Sequence, residues 1–169
     1  ASGLAIDAGL NYYDSSKGFQ AGLLLRNMGI QLASFTGSEK SPLPFDMLIG
    51  VSKKLKDAPV QLSVTAHSLN DFSLLENYHA VSGRKNDFEE ALAHLVWAAQ
   101  VYAGRYIELS ASYGHLRGFE SGVIPYAKGL TGLNFGVGVL LKRMQLRYSS
   151  GIYQPGTSRH YMGIGINFY

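Results

Sequence analysis

The sequence predicts an all-β protein, an antiparallel transmembrane β-barrel. Apolar and polar residues alternate along nine segments of the chain, so that apolar side chains share one face and glycine, polar or charged residues share the other. Each segment is close to the roughly nine to eleven residues that a tilted strand needs to cross a bilayer, whereas soluble strands average about five or six. The connections between the segments also alternate between tight turns and long loops.

The first predicted strand shows the pattern that the others repeat. Leu4, Ile6 and Leu10 lie on one face, and Asp7 and Asn11 lie on the other. The predicted apolar rows cover residues 4–12, 19–25, 45–51, 60–66, 95–101, 107–113, 133–139, 144–148 and 162–168. The last row ends on two aromatic residues, as expected of a strand that reaches the periplasmic girdle of an outer-membrane barrel.

The connections predict which end of the barrel faces which compartment. Tight turns occur at "DSSKG", "KDAP", "AGR" and "KR", whereas "GIQLASFTGSEKSPLP", residues 71–90 and "GFESGVIPYAKG" are long. The connection "PGTSR" is the exception, because it is short although it lies at the same end as the long loops. Outer-membrane barrels have short turns in the periplasm and long loops outside, so the long loops are predicted to face the cell exterior.

One long loop is predicted to contain a short helix, in "GRKNDFEEALAHLV". Asn86 can cap this helix, Glu89 three residues later completes a capping box, and Asp87 and Glu90 suit the helix dipole. Two interpretations stay open at this point. The helix is either a lid over the strand ends or a docking surface.

The amino-acid composition argues against several other classes of protein. The chain of 169 residues has 20 glycines and 11 tyrosines, which is typical of barrels, and a mean hydropathy of 0.00 that conceals the alternation. The absence of cysteine excludes disulfides and thiolate metal sites. A net charge of +3 without a basic, aromatic-rich stripe argues against nucleic-acid binding.

The odd number of strands predicts that residues 1–169 are one domain, the C-terminal portion of a longer outer-membrane barrel. Bacterial single-chain barrels have even strand counts, normally with both termini in the periplasm. An unpaired strand edge in lipid would leave backbone amides without partners, at several kcal/mol each. N-terminal strands are therefore predicted to be missing.

No enzymatic chemistry is predicted, and no catalytic, cofactor-binding or metal-binding residues are proposed. The five histidines lack metal-ligand spacing. A hydrolase using Ser63 and His67 can be imagined, but no acid is placed to orient the histidine. The glycines of "GLTGLNFGVGVL" fall every second residue within a strand, unlike those of a phosphate loop.

Several segments resemble a family of secretion barrels. They are "RNMG" at 26–29, "PLPF" at 42–45, "GVSKKL" at 50–55, "AP" followed by "LSVTAHSL", and "AHLV" at 93–96. Their order and spacing are similar to those of the PorQ-like outer-membrane barrels of the type IX secretion system in Bacteroidetes, relatives of PorV and FadL-like barrels.

This resemblance implies a fourteen-stranded barrel with a non-enzymatic role in protein secretion. It also implies an attachment complex in which such a barrel holds the surface protein PorZ, together with PorU and PorV. Membrane lipids would surround the barrel. The alternative is a FadL-like channel for hydrophobic small molecules, which the mainly polar inward rows disfavour. A soluble β-barrel is the third interpretation.

The long loops are predicted to bind the surface partner, because short turns offer little area and the lipid-facing surface is unavailable to a soluble protein. Two loops combine apolar residues with charge, as interface cores and rims do. About half of the proposed contact residues are expected to touch the partner, and the others to order the loops. The proposed residues are Phe72, Leu75, Tyr78 and Phe88 in the first loop, and Phe119, Ile124 and Tyr126 in the second.

Overall fold

The computed structural model describes residues 2–33, 43–76, 79–80, 86–122, 130–154 and 156–167. These residues form nine strands and two helices. In chain order the elements are β1 (Ser2–Asp14), β2 (Phe19–Ala33), β3 (Asp46–Lys54), β4 (Val60–Ala66), α1 (Asp87–Ala93), β5 (Leu95–Ala103), β6 (Ile107–Gly114), α2 (His115–Gly122), β7 (Leu133–Leu140), β8 (Met144–Gln154) and β9 (Thr157–Ile166).

The nine strands form one antiparallel sheet in which each strand pairs with the next one along the chain. The spatial order is therefore the chain order, and β1 and β9 are the two edges among the described residues. This confirms the predicted all-β class and the approximate positions of the nine strands.

The connections lie at two distinct ends of the sheet. Residues 15–18, 55–59, 104–106 and 141–143 join strands at one end, which we call the short-turn end. Residues 34–45, 67–94 and 115–132, with the brief 155–156 hairpin, join strands at the other, the long-loop end. The predicted alternation of short and long connections is confirmed.

Three predicted details were wrong. β2 continues to Ala33, through residues predicted to begin a long loop, and the strands range from 7 residues in β4 to 15 in β2. A second helix, α2, lies where only a loop was predicted. It packs against α1, β5 and β8. These tertiary contacts stabilise a helix whose intrinsic propensity is weak and is lowered further by Gly118. No helix in the described part of the chain is both long enough and apolar enough to cross a membrane.

A β-bulge at Asn27 adds one residue to β2. Asn27 has φ 58°, its N–H donates to Asp7 Oδ1 at 2.7 Å, and its side-chain amide donates to Pro44 O at 2.8 Å. The pairing with β1 shifts opposite residues 6–8, where β2 gains one residue. Because a shift of one residue exchanges the two faces, the bulge keeps Ile30 on the apolar face.

In the central strands β3 to β7 the apolar face of the sheet is more exposed than the polar face, whereas β1 and β9 are exposed on both faces. Leu109 is 48% exposed, whereas the neighbouring Glu108 is 6% exposed. Other exposed apolar side chains occur along the strands: Leu4, Ile6, Leu10, Ile49, Val51, Leu62, Trp97, Val101, Phe135, Val137, Val139, Leu146, Tyr148, Met162 and Ile164. Water-soluble proteins bury such side chains, so this sheet is inverted relative to theirs.

Glycine makes room on the polar face for the side chains of a neighbouring strand. A Cβ atom added at Gly136 would lie only 2.5 Å from Ser110 Oγ, closer than side-chain atoms normally approach. The hydrophobic core of the described residues is correspondingly small. It consists of Leu75 and Ala93, both at the long-loop end.

Candidate partner-binding surface and polar face

Helix α1 begins at the predicted cap. Asn86 Oδ1 accepts a hydrogen bond from the backbone N–H of Phe88 at 3.1 Å, which confirms Asn86 as the N-cap. The first turn carries three acidic residues, Asp87, Glu89 and Glu90, whose charges interact favourably with the positive end of the helix dipole. The sequence therefore fixes where the helix starts at the long-loop end.

The side chain of Glu90 connects α1 to the preceding loop through polar contacts. Its Oε1 accepts a hydrogen bond from Leu75 N at 3.4 Å, and its Oε2 lies 3.8 Å from His79 Nδ1. His79 N in turn donates to Leu75 O at 2.8 Å. With Leu75 only 1% exposed, this part of the loop is ordered by inward packing.

Asp46, the first residue of β3, anchors the start of the same loop. Its Oδ1 accepts from Ser68 N at 2.8 Å, and its Oδ2 accepts from Arg26 Nη2 at 2.8 Å. Further along, the hydroxyl and the N–H of Ser73 both donate to Asp71 and lower the pKa of this carboxyl group. The loop is thus held by short polar contacts near its origin.

Two histidines extend the β4–β5 pairing into the long-loop end. His67 N donates to His94 O at 2.9 Å, and His94 Nδ1 donates to His67 O at 2.8 Å. Burial lowers the pKa of His67, and the carboxylate of Asp46 opposes part of this shift. The serine hydrogen-bonded to His67 is its neighbour Ser68, at 3.0 Å, rather than Ser63.

The structure places the predicted partner-binding residues in three different situations. Phe72 and Phe88 are 70% and 68% exposed, so both can be reached by a second protein. Leu75 is buried and orders the loop, while Phe119 is half-buried on α2. Their contacts with a partner stay a prediction. The other three residues, Tyr78, Ile124 and Tyr126, lie outside the described residues.

A polar network crosses four strands near the short-turn end. Glu108 accepts hydrogen bonds from Gln100 Nε2 at 3.2 Å and from Arg147 Nη2 at 3.4 Å. The hydroxyl of Tyr102 donates to Gln61 Oε1 at 3.4 Å. The Glu108 carboxylate is buried, and its two donors supply the compensation that a buried charge requires.

Replacing Arg147 by leucine is expected to destabilise the protein by about 1–3 kcal/mol, because it leaves the buried Glu108 carboxylate without its cation. Combining Arg147→Leu with Glu108→Gln removes the uncompensated charge while keeping an acceptor for Gln100. The double variant should therefore be more stable than Arg147→Leu alone in urea unfolding. Equal stability of the two variants would show that the ion pair contributes nothing.

The hollows on the two faces of the sheet differ in the polarity of their lining. An apolar groove of about 550 Å³ crosses the exposed apolar face, with Ala99 and Ala111 between larger side chains that include Leu62 and Trp97. Two hollows of about 250 and 390 Å³ on the polar face are lined mainly by small polar groups. These groups include Asn11, Gln20, Ser52, Ser63, Thr65, Gln100, Ser110, Ser112, Asn134 and Ser149.

Within the described residues, no group of three or more histidine, aspartate or glutamate side chains is arranged to hold a metal ion. Comparison of the chain with protein-family models, with curated proteins and with solved structures gave no match. The class of protein that the fold defines is therefore an antiparallel all-β protein with a nine-stranded sheet and an exposed apolar face.

Proposed function

We propose that this chain forms part of an outer-membrane β-barrel that anchors a surface protein through its long loops. The observation that carries the proposal is the inverted centre of the sheet, where apolar side chains such as Leu109 are exposed and polar ones such as Glu108 are shielded. Apolar surface in contact with water is unfavourable by about 25 cal/mol per Å², and lipid removes that cost. The polar face then lines the interior of the barrel.

Aromatic side chains near both ends of the apolar face support a membrane environment. Trp97 and Tyr113 are paired on β5 and β6 toward the long-loop end. Tyr12 and Tyr106 are exposed beside the short turns. Tyrosine and tryptophan are enriched at the two membrane–water interfaces, because their rings are apolar and their polar groups reach water.

The two edges of the sheet support a larger barrel. Among the described residues, β1 and β9 each pair along one side only, so their outer backbone groups need partners in lipid. Additional strands between these edges would close the barrel. The fourteen-stranded barrel implied by the sequence resemblance would require five of them.

The anchoring role rests on the long-loop end. Its two helices pack against each other, Glu90 and Asp46 order the loop between β4 and α1, and Phe72 and Phe88 project with large exposed surfaces. Exposed aromatic residues beside charged groups resemble the core and rim of protein interfaces. The proposed partner is a surface protein such as PorZ, with PorU and PorV in a larger complex of the type IX secretion system.

A FadL-like channel for hydrophobic small molecules is the alternative, and the polar hollows disfavour it. A lipid path through the barrel needs an apolar lining, whereas most residues that line the hollows of the polar face are serine, threonine, asparagine and glutamine. The apolar groove lies on the opposite face of the sheet. A soluble β-barrel is disfavoured by the extent of exposed apolar surface.

Cysteine labelling tests the barrel, because the natural chain has no cysteine. Val137 lies on the apolar face opposite Tyr148, and Ser149 lies on the polar face opposite Gly136. In vesicles, a water-soluble maleimide is expected to label Ser149→Cys rapidly and Val137→Cys at least tenfold more slowly. Equal labelling of the two variants in vesicles would contradict a lipid-facing apolar row, provided that both label equally after unfolding.

A further inference from the structure

We infer that the apolar groove of about 550 Å³ holds an acyl chain of an anionic phospholipid, whose headgroup is bound by Lys53 at the short-turn end. This site rests on the proposed membrane role, because it lies on the face that this role places in lipid. It adds a lipid class and a position to that role. The volume of the groove is within the range of roughly 300–1,000 Å³ that is typical of small-molecule sites.

The groove lies on the apolar face between two neighbouring rows of side chains, and small residues form its floor. In the first row, Lys53 on β3 pairs with Leu62 on β4, and Leu62 pairs with Ala99 on β5. Ala99 in turn pairs with Ala111 on β6. Trp97, in the second row, lines the groove as well. Because the side chain of alanine is a single methyl group, the two paired alanines leave a depression among larger neighbours.

The groove extends from the short-turn end toward the middle of the apolar face. Lys53 is the last residue but one of β3, and Phe19, which pairs with it, is the first residue of β2. Ala99, by contrast, is the central residue of β5. The ring centroids of Phe19 and Tyr12 are 6.4 Å apart, so two aromatic side chains lie beside the lysine. A basic and aromatic end that continues into an apolar floor matches the order of headgroup and acyl chain in a lipid leaflet.

The exposed ammonium group of Lys53 favours an anionic headgroup. Its Nζ donates to Lys17 O at 2.6 Å, which holds the charge beside the turn formed by residues 15–18. An ammonium group has three N–H donors, so two remain for phosphate oxygens beyond this contact. The nearby carboxylate of Asp14 is paired with Lys17 Nζ, at 3.6 Å. Phosphatidylcholine carries its own compensating cation, whereas phosphatidylglycerol has a net negative charge that attracts a basic residue.

Tryptophan fluorescence tests the site, because Trp97 lines the groove and is the one tryptophan of the chain. The full chain is reconstituted in phosphatidylcholine vesicles, in which a small fraction of the lipid is replaced by phosphatidylglycerol or phosphatidylcholine with brominated acyl chains. Bromine quenches tryptophan fluorescence at close approach. We expect the relative association constant from quenching to be about fivefold higher for brominated phosphatidylglycerol, as expected of one lysine near an anionic headgroup.

Two variants separate the role of the charge from that of the groove. Lys53→Gln should make the two brominated lipids quench equally, because the preference for the anionic headgroup is lost. Ala111→Leu fills the floor without changing the charge, so it should lower quenching by phosphatidylglycerol to the level of phosphatidylcholine. Lys142→Gln is the matched control, since it removes the same charge from the turn of residues 141–143 at the same end. This control should keep the fivefold preference.

Equal quenching of the wild-type chain by the two lipids would overturn the site. Equal loss of preference in Lys53→Gln and Lys142→Gln would overturn it as well, because general attraction of anionic lipid to basic turns would then explain the preference. Unchanged preference in Ala111→Leu, with folding established by circular dichroism, would show that the groove holds no acyl chain and would have the same consequence.

The cysteine labelling described above distinguishes failure of this site from failure of the membrane role. If neither lipid quenches while Val137→Cys stays protected from the maleimide, a second copy of the chain covers the groove, and the phospholipid assignment alone is wrong. If neither lipid quenches and Val137→Cys is labelled as fast as Ser149→Cys, the apolar face does not lie in lipid, and both proposals are wrong.

Discussion

Replacing Val137 by arginine is expected to destabilise the protein in a bilayer by about 2–4 kcal/mol. Val137 is exposed at the middle of β7, between Leu109 on β6 and Tyr148 on β8, so its side chain would enter the hydrocarbon region of the proposed barrel. An arginine at the midplane of a transmembrane barrel costs about this much, because its charge is taken out of water. Leu146→Arg is expected to act in the same direction.

Urea unfolding in vesicles measures this cost, and the polar face supplies the control. Gln145 pairs with Gly165 on the opposite, polar face of β8, where a longer polar side chain faces the proposed barrel interior rather than lipid. Gln145→Arg should therefore change the free energy of unfolding by well under 1 kcal/mol. If the free energy of unfolding of Val137→Arg is also within about 0.5 kcal/mol of the wild-type value, the change behaves as an ordinary surface substitution. Val137 would then not face lipid.

The sequence predicts the sheet well because the relevant information is local. Successive residues of a strand lie on opposite faces of the sheet. Val137 and Gly138 are neighbours in the sequence, so the difference between the apolar and the polar face appears directly as an alternation of residue types. The cap of α1 is local in the same sense. Asn86 and the acidic first turn lie within five residues of one another, and the structure confirms that Asn86 starts the helix.

Features that depend on long-range contacts could not be predicted. The bulge at Asn27 is held by contacts with Asp7 and Pro44, and the backbone N–H of Leu75 is bonded to Glu90 in α1. Arg117 and Arg159, which both contact the ring of Tyr153, likewise come from separate elements. No spacing rule relates such residues along the chain, since only the register of the strands and the packing of α2 bring them together.

The structure also separates the part of the protein that supports the loops from the part that can bind. The paired histidines His67 and His94, together with Asp46, close the β4–β5 connection at its base. Beyond this base, the loop offers the exposed ring of Phe72, and α1 offers that of Phe88. A change beyond the base is therefore expected to alter binding without opening the sheet.

Deleting residues 78–85 is expected to abolish capture of the surface partner while leaving a folded barrel. The deletion keeps the hydrogen-bonded base at His67 and His94, the buried Leu75 and the Asn86 cap, so the nine-stranded sheet retains its pairing. It removes His79, whose contacts with Leu75 and Glu90 connect the loop that carries Phe72 to α1. Co-purification from native membranes in mild detergent, with mass spectrometry of the companions, measures the loss, and heat-modifiable migration in electrophoresis measures folding.

Point variants separate lost contacts from a distorted loop. Phe72→Ala combined with Phe88→Ala removes the two exposed rings, and aromatic residues central to interfaces contribute about 2 kcal/mol or more each to binding. This pair should therefore reduce partner recovery strongly, whereas Lys142→Ala with Arg143→Ala at the short-turn end should leave it unchanged. Wild-type recovery of the partner by the folded deletion variant would show that this loop is not the binding surface, and the second loop, with Phe119, Ile124 and Tyr126, would become the region to test.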